Sequence, residues 1–110
     1  ITTFLKSIDL FSRYDVDILA NIASAVKIIY IQSGEILMHH GDKADSFYIV
    51  MHGRLRAFTA QALENEVILG EIGPGQIVGE VALLTDEVRI ATVQAIRDCV
   101  LLKFDQKTFN

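Results

Sequence analysis

Residues 46–59 read SFYIVMHGRLRAFT, two runs of β-branched and aromatic residues meeting at Gly53. Such runs, parted by a turn residue, predict two short strands. Across Arg54–Phe58, Leu55 and Ala57 fall on one face while Arg54, Arg56 and Phe58 take the other. That alternation belongs to a half-buried strand. Phe47 and Tyr48 alternate as well, so one is expected in the core and the other partly exposed.

The same texture extends both ways. Lys27–Ile31 and Glu35–Met38 precede it, and Glu66–Ile72, Ala91–Ile96 and Val100–Phe104 follow. Gly34, Gly41, Gly53, Gly73 and Gly75 punctuate them. Strands with turn signals every 8–12 residues or so predict a sandwich or barrel. Ala60–Asn65 reads as a mobile hairpin loop.

The N-terminal quarter has a different period. Phe4, Leu5, Ile8 and Phe11 lie near helical spacing, and Ile18, Leu19, Ile22, Ala23 and Val26 recur on one helical face. Ser12 and Asp15 are start signals for the second helix. At the other end Asp105 suits a helix N-cap, so residues 105–110 are expected to begin a further helix. A first residue of Ile in place of Met reads as a piece of a longer chain.

Composition narrows the function. At 110 residues and 51% hydrophobic, the chain suits one domain with one packed core. The formal net charge of −4 argues against a general nucleic-acid surface. Cys99 is the only cysteine, which excludes an internal disulfide and favours a reducing, cytoplasmic setting. In the run CVLL it reads as a small buried hydrophobe. No apolar run approaches the roughly 18 residues of a membrane helix. No serine or cysteine stands beside a plausible base, and no carboxylate pair suggests acid–base work, so no catalytic residue is assigned.

Residues 79–92, GEVALLTDEVRIAT, interrupt the strand pattern. A short helical turn after Gly79 would present free backbone N–H groups, which favour anions. Gly79, lacking Cβ, would let the backbone approach a ligand closely. Nine positions after Glu80 stands Arg89, a planar, permanently charged fork suited to phosphate oxygens. A carboxylate, exposed amides and a guanidinium in one loop suit a ribose phosphate.

Those residues carry a resemblance. GEVALLTDEVRIATVQA is similar to the phosphate-binding cassette of cyclic-nucleotide-binding domains, of the type in CAP and the protein kinase A regulatory subunits. LFSRYDVDILANIA resembles that family's leading helices, SGEILMHHGDKADSFYIVMHGRLRAF its first strands, and IGPGQIVGE the approach to the cassette. The resemblance implies a mainly β fold with flanking helices: a double-stranded β-helix (jelly-roll, cupin-like) barrel, N-terminal helices and a truncated C-terminal helix. One domain over 1–110 is implied, with helices in 1–26, the barrel in 27–104, the cassette in 79–92 and the last helix from 105.

It also implies a site. Glu80 would accept from the ribose 2′-hydroxyl, Arg89 would hold the phosphate, and the amides of Val81, Ala82 and Ala91 would complete the cradle. Leu69 and Val78 would line the sugar or base. Two positions depart from the family pattern: Val88 replaces a frequent Pro, and Ile90 replaces Ala, Ser or Thr. Thr there donates to guanine in cyclic-GMP-selective members; Ile90 cannot, so cyclic AMP is favoured over cyclic GMP. The implied partner is an attached effector that the bound nucleotide biases.

Other readings stay open. A domain of this fold that has lost its ligand and serves as an interaction scaffold would fit Ile90 and Val88 but not Gly79, Glu80 and Arg89. Surface pairing of Glu80 with Arg89 is the bland alternative for those two residues. A metal-dependent cupin is distant, because adjacent His39 and His40 would point to opposite faces of a strand. Asp42 and Asp45 read as a polar turn rather than calcium ligands. GEIGPGQIVGE lacks the spacing of a dinucleotide fingerprint and its QIV reads as strand.

Overall fold

Asp15 opens the first element among the described residues. Its carboxylate accepts from the Ile18 amide at 3.0 Å and caps helix α1, Val16–Ala25. Leu19 is fully buried, and Ile22, Ala23 and Val26 pack into the same cluster. Ile18 is 44% exposed, at the rim of the apolar stripe rather than inside it. The computed structural model describes residues 15–61, 65–79, 89 and 91–105. The helix expected near Phe4–Phe11, the signal at Ser12 and the helix expected beyond Asp105 lie outside those residues.

Among the described residues eight strands follow: β1 Lys27–Ile31, β2 Ile36–Met38, β3 Ser46–His52, β4 Leu55–Gln61, β5 Asn65–Ile72, β6 Ile77–Val78, β7 Thr92–Ala95 and β8 Cys99–Asp105. All seven runs read as strands from the sequence are strands within a residue or two, and QIV contributes β6. Asp105 ends β8, where its carboxylate meets Lys27 Nζ at 3.3 Å and Lys103 Nζ at 3.7 Å. β4 and β5 pair from Leu55–Ile72 to Gln61–Asn65, which makes them a hairpin. Residues 62–64 at its tip lie outside the described residues.

The strands form two four-stranded antiparallel sheets, ordered β1-β8-β3-β6 and β2-β7-β4-β5. This is the mainly β jelly-roll layout that was expected, with one difference. Among the described residues the sheets do not join edge to edge, so the barrel is unclosed and the domain is a sandwich. The strands that could bridge them are short: β6 has two residues, and β2 has three and a register shift.

Alternation along the strands sorts the core into two layers. Ile31, Met38, Tyr48, Val50, Leu55, Val93, Ala95 and Leu101 meet between the sheets. Ile49, Leu102 and Phe104 face the other way and take Leu19 of α1. Tyr48 is core, as one of the aromatic pair had to be; Phe47 is half-buried and stacks on Phe104 with ring centroids 4.7 Å apart. The first sheet is thus apolar on both faces, which is why β3 and β8 read as nearly continuous hydrophobic runs. Buried Cys99 lies in the inter-sheet layer, and loss of hydration there pushes its thiol pKa up.

Candidate functional site

The turn between β2 and β3 supplies the floor of the site. Its shape comes from Asp42, whose amide donates to the His39 carbonyl at 3.0 Å while its carboxylate accepts from the His39 amide at 3.0 Å. His39 and His40 therefore stand in this turn, past the end of β2, rather than alternating on a strand. Among the described residues no group of three or more His, Cys, Asp and Glu is placed to hold a metal.

That turn grips Arg89 by its main chain. The Arg89 amide donates to the Asp42 carbonyl at 2.7 Å, and its carbonyl accepts from the Gly41 amide at 2.8 Å. Three residues on, Thr92 Oγ1 accepts from the His40 amide at 3.0 Å. The main chain of the arginine and the side chain of Thr92 are thus pinned to one loop.

The side chain then turns inward. Arg89 is only 4% exposed, a rare burial for a permanently charged residue. Nη1 donates to the Gly79 carbonyl and Nη2 to the Ser46 carbonyl, each at 2.6 Å. Strands β3 and β6 bring those acceptors together: Tyr48 pairs with Val78, and continuing that register sets Gly79 beside Ser46 and Phe47. Among the described residues no carboxylate forms an ion pair with this guanidinium. Among the described residues its partners are two neutral carbonyls, which satisfy part of a five-donor fork. A buried cation so placed has strong reason to accept an anion.

Gly79 serves this arrangement in a way the sequence did not suggest. Its φ is +90°, and a Cβ there would meet Arg89 Nη1 at 2.5 Å and Met38 Cε at 3.3 Å. The missing side chain makes room for the guanidinium, so the close approach is between two parts of the protein.

The remaining site residues divide. Ala91 is buried two residues beyond Arg89. Val78 is 8% exposed and belongs to the inter-sheet core, directly before Gly79. Leu69 is 54% exposed on β5, an edge strand, at the irregularity where Ala57 pairs with Gly70 and Phe58 with Ile68. Glu80, Val81, Ala82 and Ile90 lie outside the described residues, as does Val88.

Sequence reasoning missed Ser46. It is fully buried and lends its carbonyl to an arginine 43 positions away. A serine opening an otherwise apolar strand was the only signal. The glycine-rich segment, by contrast, folds as it read: Gln76 closes a turn on Gly73 through its amide at 3.1 Å and its side chain at 2.7 Å, and β6 follows.

A family model described as the cyclic nucleotide-binding domain matches residues 28–110, most of the chain and all of the site. The chain belongs to the cyclic nucleotide-binding domain family. Among curated relatives, the domain is 37% identical over 93 residues to lysophospholipase nte1 of Neosartorya fischeri, covering 84% of this chain and 6% of that protein. Lysophospholipase NTE1 of Coccidioides immitis is 38% identical over the same length, with the same coverage. The chain thus spans about 6% of the length of the curated relatives it matches. Among solved structures it is similar to the regulatory domain of Toxoplasma gondii PKA in co-crystal with cAMP. The TM-score is 0.89 at 30% identity, covering 99% of this chain and 41% of that one. Among the described residues no helix is long and apolar enough to cross a membrane.

Proposed function

We propose that this cyclic nucleotide-binding domain captures a cyclic nucleotide monophosphate with Arg89 at the phosphate, preferring cyclic AMP to cyclic GMP. One observation carries the proposal: a guanidinium buried to 4% exposure, oriented by two main-chain carbonyls and without a carboxylate among the described residues. A phosphodiester would complete its hydrogen bonding with charge assistance. In this reading Glu80 accepts from the ribose 2′-hydroxyl, and the amides of Val81, Ala82 and Ala91 share the phosphate charge. Leu69 offers apolar surface to the sugar or base, and Val78 backs the cradle from the core. Ile90, unable to donate to guanine, favours adenine.

The bound state biases an attached effector by being favoured in one arrangement over another. The similarity to lysophospholipases, of which this chain matches a small part, supports an effector of that hydrolase class elsewhere in the protein. The domain itself is non-catalytic, comprises residues 1–110 as one unit, and works in the cytoplasm.

Calorimetric titration with cyclic AMP and cyclic GMP tests this. Cyclic AMP is expected to bind more tightly, and Arg89→Ala to weaken it by at least about tenfold, the loss of a charge-assisted hydrogen bond. Equal affinity for 2′-deoxy cyclic AMP would remove Glu80 from its role. Unchanged affinity in Arg89→Ala would overturn the site.

A further inference from the structure

Ser46, whose carbonyl takes Arg89 Nη2, also carries a buried hydroxyl. Ser46 Oγ stands 3.3 Å from Tyr48 Oη and 3.0 Å from Asp45 Oδ1. Ser46 is fully buried and Tyr48 is 8% exposed, while Asp45 faces solvent. Protons dictate the direction of this chain. A carboxylate only accepts, so the single Ser46 hydroxyl hydrogen goes to Asp45, and the Tyr48 phenol donates to Ser46 Oγ. Nothing about nucleotide capture uses these hydroxyls directly.

We infer that the Tyr48 phenol and the Ser46 hydroxyl are positioning residues for Arg89: they fix the carbonyls that aim its guanidinium at the phosphate. This rests on the reading of Arg89 as the phosphate residue. Ser46 and Tyr48 are two apart on β3, so their side chains share a face, and each is tied to one of the guanidinium's acceptors. Ser46 supplies the acceptor for Nη2 from its own main chain. Tyr48 stands opposite Val78, the residue before Gly79, which supplies the acceptor for Nη1. The phenol-to-hydroxyl bond lies within β3 and joins Ser46, whose carbonyl takes Nη2, to Tyr48, whose main chain pairs beside the residue before Gly79. A guanidinium held at both Nη atoms cannot turn about its Nε–Cζ bond without breaking two hydrogen bonds. Fixing the plane before ligand arrives removes an ordering penalty from binding.

Tyr48→Phe and Ser46→Ala are small, shape-conserving changes suited to the folded domain. Two quantities are measured: rotation about the Arg89 Nε–Cζ bond in ligand-free protein by ¹⁵N NMR, with Arg54 as internal control, and cyclic AMP affinity by calorimetry. Both variants are expected to speed Arg89 rotation about tenfold, leave Arg54 unchanged, and weaken cyclic AMP about three- to tenfold, one neutral hydrogen bond's share. Arg89 rotation unchanged in both variants overturns the inference, whatever the affinity does. Faster rotation with undiminished affinity also overturns it. If rotation quickens but the parent protein binds no cyclic nucleotide, the positioning stands and the phosphate reading of Arg89 fails.

Discussion

The guanidinium of Arg89 occupies the space that a side chain on Gly79 would need, 2.5 Å from Nη1 and 3.2 Å from Cζ to an ideal Cβ. The same glycine's carbonyl accepts from Nη1, so one residue both vacates the seat and anchors its occupant. A site built on burial of a cation depends on such mutual fit, because neither the space nor the acceptor is replaceable by solvent.

Gly79→Ala should therefore harm stability and binding together. The φ of +90° is strained for alanine, about 1–3 kcal/mol, and the new methyl displaces the guanidinium. The urea midpoint is expected to fall accordingly, and cyclic AMP affinity to drop at least about tenfold. Unfolding and binding both equal to the parent would show that Arg89 does not need this seat.

Asp15→Ala separates stability from binding. The lost cap on α1 is expected to lower unfolding free energy by about 1 kcal/mol, and Asp15→Asn to restore most of it. The helix packs on the far face of the first sheet, away from the inter-sheet layer. Cyclic AMP affinity of the folded protein should stay level, checked by calorimetry well below the melting point.

Much of this was legible because local signals and tertiary demands agree. The Asp15 cap, the strand alternation in Arg54–Phe58 and the turn at Gly73–Gln76 each follow from neighbours in sequence. The site is different. Arg89 stood out by charge type and spacing from Glu80, yet its acceptors lie on β3 and after β6. The register of Tyr48 with Val78 creates that meeting, and no residue near Arg89 encodes it. Barrel closure was misjudged for a similar reason: strand runs reveal which residues alternate, whereas edge pairing depends on lengths as short as the two residues of β6.

Leu101 and Leu102 are adjacent on β8, both fully buried, and belong to different layers. Each to Ala should remove about 2–5 kcal/mol. Leu101→Ala loosens the packing between the sheets and should speed amide exchange in β7, while Leu102→Ala should do so in α1. Hydrogen exchange by NMR distinguishes them; the same exchange pattern in both variants would contradict the two-layer core.

Glu71 makes stability depend on acid. On β5 it stands opposite Arg56, accepts a hydrogen bond from Arg54 Nε, and lies 3.8 Å from Arg56 Nη2. The Arg54 hydrogen bond is the main effect holding its carboxyl below the ordinary 4.5; loss of hydration comes next and opposes it, and the charges of Arg54, Arg56 and Arg97 add to the lowering. The unfolded chain thus takes up the proton first as pH falls. Glu71's contribution is complete above the ordinary carboxylate pKa and disappears as pH drops through the lowered value. Glu71→Gln should therefore lower stability at neutral pH and flatten its decline below about pH 4.5, by urea titration at stepped pH. Because the side chain is 39% exposed, high salt should shrink the difference. A Gln variant whose stability falls with acid as steeply as the parent's would assign the acid sensitivity to other carboxylates.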